Sequence, residues 1–569
     1  MPDPEVRNAI IKNNMRYKNL LFYSIIILIV AGGVFLRFWF LNTIPPGVHY
    51  DEAYNGMNAL WANENHNWKI FYPENTGREG LHINVIAFFI SLFGNNNLGL
   101  RFASAMWGSL TIIGFYFLLR ELKFSRLSIA VGTFMMATSF WHLVFSRTAY
   151  RAIMVPMVLV WMFYFLWKAV NSLQHHPPLS KSIIYLILSG LFLGLGFHTY
   201  ISFRIAPVII AILLLAVILT GKDAVKNYWK YGAAFLLAIL IAALPIFVYF
   251  SDHIKDFVSR SEAVSIFNAP NMTLWQAFWK SLGKHVWAFF VMGDKNPRHN
   301  FNSQPLLPAA WSVLFAIGFF ISLKEIWKTI INVISRRKDA LQCVATRWFY
   351  VSVLAQSMFW TMLAPGIMSI EGIPHSLRII GVIPAVFILI LLPFEYILNF
   401  YEEIKNTPGL EKRLWQKNGS VTIFFGIVFM VIFGGLSQMY IYFNSWAKDV
   451  ATLGAYERKL YNLGFLIRDL SPHQNNYIIT AFNTSVTPDH KQSSLKTAEY
   501  IGYPNSQKYI FWKPMDGVKQ ISCDDPQLVF LESDQWLRDQ YKNSCPGLQQ
   551  KRYLYDNGKY IFWVMSNNP

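Results

Sequence analysis

Apolar residues in this chain fall in long blocks separated by short polar stretches. Each block holds about 18–24 residues, enough for a helix to cross a bilayer core about 30 Å thick. Because lipid offers the backbone no hydrogen bonds, we expect each block to be helical. The pattern predicts eleven spans, near residues 20–41, 98–119, 127–145, 150–170, 182–198, 204–220, 231–250, 308–326, 347–365, 379–398 and 420–443.

One further apolar stretch, 81–94, is too short to assign as a span. Basic and non-basic loops alternate along the chain only if residues 81–119 cross the membrane once. In that case 81–94 is interfacial, re-entrant or half of a bent span. If 81–94 crosses by itself, a further crossing must exist and thirteen becomes the next consistent count. The first span follows a basic segment, residues 7–18, and no small-residue cleavage site follows it, so we expect an uncleaved anchor.

Charge adds an orientation to this pattern. The net charge is +18, yet only 14% of residues are charged, and the basic residues concentrate in alternate loops rather than in a nucleic-acid patch. Those basic segments are the N-terminus, 120–126, 222–230, 324–347 and 405–417. Because positive residues mark the cytoplasmic side, the segments expected outside are 42–80, 146–151, 198–204, 251–307, 366–378 and everything after 444. We predict a multi-pass protein of the plasma (cytoplasmic) membrane that contacts membrane lipid and no nucleic acid.

The predicted fold is an all-α polytopic membrane protein with about 11–13 transmembrane helices and a small C-terminal α/β domain. Residues 1–19 form the cytoplasmic N-terminus, and 20–443 form the transmembrane domain, which includes the long outside loops 42–80 and 251–307. Residues 444–569 form a soluble extracytoplasmic tail.

The tail alternates helical and strand-like patterns. Residues 454–470 have helical spacing of apolar positions, and strand-like runs follow at 477–480, 528–531 and 560–565. The Asn-Gly pair at 557–558 predicts a hairpin.

The chain has three cysteines. Cys523 and Cys545 lie in the tail, and Cys343 lies in a basic loop assigned to the cytoplasm. One disulfide outside and one free thiol inside fit this split, and two unpaired thiols in the tail fit it equally.

The first outside loop places acidic residues next to the membrane. It begins Pro-Pro-Gly-Val-His-Tyr at residues 45–50, and Asp51 and Glu52 follow. We expect Asp51 to cap a new helix. A purely structural role, with Asp51 as the cap and Glu52 interacting with the helix dipole, explains the same residues. The loop closes with Glu79, again where the chain re-enters the membrane.

Arginines recur in the short segments assigned to the outside, where positive residues should be scarce. A single arginine there commonly extends towards lipid headgroups, but several opposite a carboxylate-bearing loop favour a site for an anionic group such as phosphate. Arg101, near the start of the second span, is costly to bury and functional by default. The candidate substrate- or phosphate-binding residues are Arg101, Arg147, Arg151, Arg204, Arg298, His299, His375 and Arg378, and Arg37 lies in the first span.

Residues 15–400 resemble the C-type (GT-C) glycosyltransferases, and within them the protein O-mannosyltransferases and the aminoarabinose transferases of lipid A (glycosyltransferase family 39-like). The motifs are Pro-Pro-Gly followed by His-Tyr-Asp-Glu-Ala at 49–53, Glu79, and Leu-Arg-Phe-Ala-Ser-Ala at 100–105, with weaker matches at Ser146-Arg147 and Arg378. The acidic pair at 51–52 is the most specific element.

The resemblance implies an enzyme that moves a sugar from a polyprenyl-phosphate carrier to an acceptor outside the cytoplasm, which is a protein, a glycolipid or a polysaccharide. It implies that Asp51 is the catalytic carboxylate with Glu52 as its neighbour, and that Arg101 is needed for activity. In some members of this family the acidic residue that matches Glu79 binds a divalent metal ion. This ion is the one cofactor that the resemblance implies. Two departures, Tyr-Arg-Ala at 150–152 and Gly-Leu-His at 80–82, leave metal use open.

A phosphate leaving group is stable as an anion, so this chemistry needs charge stabilisation and a base rather than a general acid. One carboxylate, Asp51, can serve as that base by single displacement, which inverts the anomeric centre. The competing function is a transporter or flippase of a lipid-linked sugar, which would also need arginines but not the acidic first loop. Transporters more often show inverted repeats, and we find none in the sequence.

Overall fold

The computed structural model describes residues 4–567 except 175–178, 221–223, 336–346, 407–413, 481–494, 514–517, 519–520 and 532–533. Cys343 and parts of the basic segments 222–230, 324–347 and 405–417 lie outside the described residues. The chain forms two compact units. A helical unit comprises residues 1–39, 79–82 and 103–446, and a mixed unit comprises residues 40–78, 83–102 and 447–569.

The helical unit is built from long apolar helices. Their bounds are Pro4–Phe38, Asn97–Glu121 (which begins in the mixed unit), Arg126–Thr138, Phe140–Ser146, Met154–Gln174, Leu179–Gly196, Pro207–Thr220, Ala224–Asp252, Ala309–Ile334, Arg347–Ile367, Ile383–Asn406 and Leu414–Tyr440. Two amphipathic helices, Ile254–Ala263 and Leu274–Trp287, occupy the segment predicted as the second long loop.

All eleven predicted spans coincide with these helices. Among the described residues, eight helices are long and apolar enough to cross a membrane, and a bent pair would make a ninth. The spans predicted at 182–198 and 347–365 are the helices Leu179–Gly196 and Arg347–Ile367, which lie outside that set. The stretch 81–94 is the 14-residue helix Gly80–Phe93. At 1.5 Å per residue it is about 21 Å long, shorter than a bilayer core.

The bent pair consists of Arg126–Thr138 and Phe140–Ser146, which meet at an angle of 52°. Ser139 ends the first helix and caps the second. The break frees carbonyl oxygens in the last turn of the first helix, and the buried guanidinium of Arg37 donates to two of them at 2.9 and 3.1 Å. Arg37 therefore satisfies the backbone polar groups that a broken helix would otherwise leave unpaired inside the unit.

The mixed unit contains the helices Tyr50–Glu64, Val450–Ala455, Arg458–Asp469, Leu495–Ile501 and Gln535–Ser544, and most of the helix Gly80–Phe93. It also contains the short strand Phe71–Tyr72. A second short strand, Arg78–Glu79, lies at the boundary, with Arg78 in the mixed unit and Glu79 in the helical unit. Its sheet has five strands in the order Tyr509–Trp512, Asn475–Ile479, Pro526–Phe530, Tyr560–Ser566 and Gln549–Tyr555. The first three are parallel and the last two antiparallel to their neighbours.

Alternating side chains of the central strands enter two cores. Ile478 and Val529 pack with Leu463 of one helix, while Tyr477 and Leu528 pack on the opposite face. The small C-terminal α/β domain expected from the sequence is thus confirmed. The predicted hairpin is also present, since the strands ending at Tyr555 and beginning at Tyr560 pair across the Asn-Gly turn. The strand Tyr509–Trp512 was not predicted from the sequence, because its four consecutive apolar residues show no alternation.

Candidate active site

Asp51 and Glu52 lie in the first turn of the helix Tyr50–Glu64. The N-cap is His49, not Asp51 as we predicted from the sequence. His49 Nδ1 accepts from the Asp51 backbone N–H at 3.1 Å, and Glu52 Oε2 accepts from the His49 backbone N–H at 3.2 Å. This reciprocal capping box leaves the side chain of Asp51 out of the capping interaction.

Glu52 is fully buried against Arg101. The Arg101 Nε donates to Glu52 Oε1 at 3.0 Å and Nη2 donates to Oε2 at 3.2 Å, and neither side chain is exposed. Arg101 also donates to the carbonyl oxygens of Pro45, at 3.0 Å, and Gly47. Its guanidinium thus joins the Pro-Pro-Gly turn to the first turn of the helix. We therefore assign Arg101 to positioning this loop; a contact with substrate stays a prediction.

Asp51 is the accessible carboxylate of the pair. Its side chain is 34% exposed, whereas that of Glu52 is 0% exposed. Asn75 Nδ2 donates to Asp51 Oδ1 at 2.8 Å, which holds the carboxylate from the far side of the same loop. Asp51 is thereby oriented yet open to solvent, as a base that must meet an acceptor needs to be.

The tail supports the loop that carries these carboxylates. Thr497 Oγ1 donates to the Val48 carbonyl at 2.9 Å, and both residues are buried. Gly47 has a φ of +143°, and a side chain there would lie 2.2 Å from the carbonyl oxygen of Tyr456. Gly47 is therefore required by both backbone conformation and space. No motif in the tail signalled this role.

Glu79 joins two of the predicted arginines in the helical unit. Arg151 Nε lies 2.7 Å from Glu79 Oε2, and Arg204 Nη2 lies 3.3 Å from Oε1. Arg204 also donates to the Phe257 carbonyl at 2.6 Å. Glu79 is 2% exposed, but Arg151 and Arg204 are 14% and 16% exposed. One carboxylate with two arginines leaves a net positive charge, which suits an anion.

The same contacts argue against a divalent metal at Glu79. Both of its oxygens already face a guanidinium group, and a further cation would be repelled by Arg151 and Arg204. The residues present do not fit the metal that the family resemblance raised, and we derive no step through it.

Arg147 is fully buried and serves packing. It donates to the carbonyl oxygens of Leu36 and Trp39, both at 2.6 Å, and to the Tyr442 hydroxyl at 3.1 Å. These contacts tie the end of the first helix to the region after the last long helix. A phosphate contact for Arg147 stays a prediction, and the structure gives it a structural role.

Asp294, His299 and His375 form a cluster in the helical unit. Asp294 Oδ2 lies 3.0 Å from His299 Nδ1 and accepts from the backbone N–H and the hydroxyl of Ser376, both at 2.8 Å. Burial alone would raise the Asp294 pKa, but His299 lowers it well below its usual value. Burial lowers the pKa of His375 well below its usual value, which disfavours the charged form of its imidazole. Both histidines were predicted from the sequence as site residues, but Asp294 was not. Its position five residues before His299 in the same loop is the signal that could have indicated it.

Two predicted arginines next to this cluster in the sequence are held by other groups. Arg378 donates to Glu371 Oε2 at 2.6 Å and to the Ser369 hydroxyl. Arg298 Nε donates to Asn296 Oδ1 at 3.2 Å within its own loop. In the tail, Cys523 and Cys545 are joined by a disulfide.

The predicted site residues fall into the two units. Asp51, Glu52 and Arg101 belong to the mixed unit, together with the disulfide. The remaining predicted residues belong to the helical unit. Arg151 and Arg204 cluster with Glu79, and His299 and His375 cluster with Asp294, whereas Arg147, Arg298 and Arg378 have other partners.

Comparison with known proteins gives the fold. The solved structure of ArnT from Cupriavidus metallidurans bound to undecaprenyl phosphate superposes with a TM-score of 0.54 at 12% identity, covering 95% of this chain and 97% of that chain. The apo state of the same protein gives 0.51 at 13% identity, covering 97% and 98%. No curated protein sequence matches significantly.

Residues 80–257 match the family model of the dolichyl-phosphate-mannose-protein mannosyltransferases. The matched region begins at Gly80, directly after Glu79, so the loop that carries Asp51 lies outside it. It includes Arg151 and Arg204, the two arginines that bind Glu79. The chain is therefore a multi-pass membrane protein with the GT-C glycosyltransferase fold, and over residues 80–257 it resembles the dolichyl-phosphate-mannose-protein mannosyltransferases.

Proposed function

We propose that this protein transfers a sugar from a polyprenyl-phosphate donor to an acceptor hydroxyl on the extracytoplasmic side of the plasma membrane. The observation that carries the proposal is the first-turn carboxylate pair, in which Glu52 is buried on Arg101 and Asp51 is partly exposed. The shared fold supports the donor class, because an ArnT with this fold binds undecaprenyl phosphate.

In the proposed reaction the acceptor oxygen attacks the anomeric carbon of the donor. The bond from that carbon to the phosphate oxygen breaks as the new glycosidic bond forms. Asp51 takes the proton of the acceptor hydroxyl, and polyprenyl phosphate leaves as a monoester anion. One displacement inverts the anomeric configuration.

The leaving phosphate requires stabilisation of negative charge. Arg151 and Arg204 are the predicted arginines whose geometry suits this best, because each is partly exposed and they share only one carboxylate, Glu79. Their fixed orientation would let them bind the developing charge with little rearrangement.

The distribution of positive loops supports a cytoplasmic N-terminus and an extracytoplasmic tail. The acceptor class stays open between a protein hydroxyl, a glycolipid and a polysaccharide. A sugar attached to a polyprenyl phosphate is the suitable donor there, because its lipid keeps it at the membrane surface.

The test is turnover of a panel of radiolabelled polyprenyl-phosphate sugars by the purified protein, run beside a liposome assay for translocation of the same lipids. We expect sugar transfer or slow hydrolysis with one donor and no translocation. Translocation without sugar release from any donor would contradict the proposal and favour the transporter or flippase.

A further inference from the structure

The Asp294 cluster, defined as Asp294, His299 and His375, brings together two separate parts of the chain. Asp294 and His299 lie in the loop before the helix Ala309–Ile334, and His375 lies in the turn after the helix Arg347–Ile367. One potential ligand atom from each residue lies within 4.8 Å of the other two. The cluster does not include Glu79 and is independent of the proposed transfer reaction.

The distances suit a shared cation. Metal bonds of about 2.0–2.2 Å to imidazole nitrogen and carboxylate oxygen place neighbouring ligand atoms of a tetrahedral site about 3.4 Å apart. The 3.0 Å between Asp294 Oδ2 and His299 Nδ1 is close to this value. Since the ligand atoms of the whole set lie within 4.8 Å of one another, any pair must close by about 1.4 Å at most to reach this separation.

A hydrogen bond between Asp294 and His299 explains only part of the cluster. It leaves His375 Nδ1 buried with no hydrogen-bond partner in the described part of the chain. Buried polar atoms without a partner are rare in native proteins, and an ion absent from the coordinates is one of their ordinary explanations.

The groups around the cluster fix its ligands. The Asn296 backbone N–H donates to Asp294 Oδ1 at 2.9 Å, and Ser376 donates twice to Oδ2. His285 Nε2 accepts from the backbone N–H of His375 at 3.2 Å, which sets the turn that carries this ligand. Such outer hydrogen bonds orient metal ligands in known sites.

We propose that Asp294, His299 and His375 bind a divalent transition-metal ion of the zinc type. Two imidazoles and one carboxylate favour zinc or cobalt over magnesium or calcium, which prefer all-oxygen sites. Three protein ligands leave a fourth position open to water or to an anionic oxygen. The ion would clamp the loop at 294–299 to the turn at 375.

The test uses the full-length protein without an affinity tag, stripped by a chelator and titrated with zinc or cobalt. We expect one metal ion per chain by mass spectrometry and a visible cobalt spectrum typical of nitrogen and oxygen ligands. His375→Ala and His299→Ala should weaken zinc binding at least tenfold. The control His253→Ala, which alters an exposed histidine outside the cluster, should not.

A second measurement needs no variant and remains informative if the alanine proteins fail to fold. X-ray absorption at the zinc edge of the metal-loaded wild-type protein should show nitrogen and oxygen ligands that include two imidazoles. Stoichiometric zinc binding that is equal in all variants, no zinc binding, or a zinc environment without imidazole would overturn the proposal.

Discussion

Arg101 binds both carboxylate oxygens of Glu52, with Nε 3.0 Å from Oε1 and Nη2 3.2 Å from Oε2, and neither side chain is exposed. An ion pair so deeply buried is sustained only when both partners and their remaining hydrogen bonds are present. The pair sets the direction of the helix that carries Asp51. The two neighbouring acids therefore differ in surroundings, and the proposed reaction assigns the positioning role to Glu52 and the role of the base to Asp51.

Glu52→Gln should destabilise the protein. It leaves the buried charge of Arg101 without its partner, at a cost of about 3–5 kcal/mol in unfolding free energy. Thermal unfolding in detergent measures the effect. The matched control is Asp556→Asn, which breaks a more exposed pair with Arg458 and should cost about 0–1 kcal/mol. Equal losses in the two variants would contradict the positioning role of Glu52.

Thr497→Val should slow sugar transfer while donor binding is kept. The substitution conserves shape but removes the hydroxyl that donates to the Val48 carbonyl, a loss of about 1 kcal/mol that loosens the loop before Asp51. Steady-state kinetics should show a lower kcat, and Thr497→Ser should retain the wild-type value. An unchanged kcat in Thr497→Val would show that the contact of the tail with the loop before Asp51 does not affect sugar transfer.

Arg151→Gln should weaken binding of polyprenyl phosphate by about tenfold or more, because one charge-assisted hydrogen bond to phosphate is lost. Fluorescence titration with a labelled lipid phosphate measures this. Arg458→Gln, in the tail, is the control and should bind normally. Comparable affinities in both variants would place the phosphate elsewhere.

Acid should loosen the helix Arg458–Asp469. A hydrogen bond from Arg458 lowers the Asp556 pKa below its ordinary value of 3.8. The folded pKa is the lower one, so this stabilisation is present above about pH 4 and is lost as pH falls further. The protection factors of this helix, which are exchange rates corrected for the intrinsic pH dependence of amide exchange, should fall from pH 5 to pH 3. Asp556→Asn should show lower protection at pH 5 and lose this pH dependence; an unchanged dependence would assign the effect to other groups.

The product sugar should have the opposite anomeric configuration to the donor, because the proposal uses one displacement. Nuclear magnetic resonance of the isolated product determines the configuration. Retention would require a covalent intermediate, and with it a different role for Asp51.

The local parts of this account were predictable from the sequence. Apolar block length predicted the helices, and the acidic pair singled out Asp51, whose catalytic role stays a prediction. Long-range partners were not predictable, because nothing in the tail indicates that Thr497 contacts Val48. The roles of the arginines were not predictable for the same reason. The local sequence does not distinguish Arg37 and Arg147 from Arg151, yet both donate to buried carbonyl groups. Only the partner distinguishes these roles, and the partner is fixed by the fold.

The most direct test of the central claim compares wild-type and Asp51→Asn protein with the donor identified from the panel. Asp51 is partly exposed and outside the buried pair, so the variant should fold and bind donor like the wild type. We expect transfer to fall by about 100-fold or more, as removal of a positioned base predicts. A folded Asp51→Asn protein that keeps full transfer activity would contradict the assignment of Asp51 as the base.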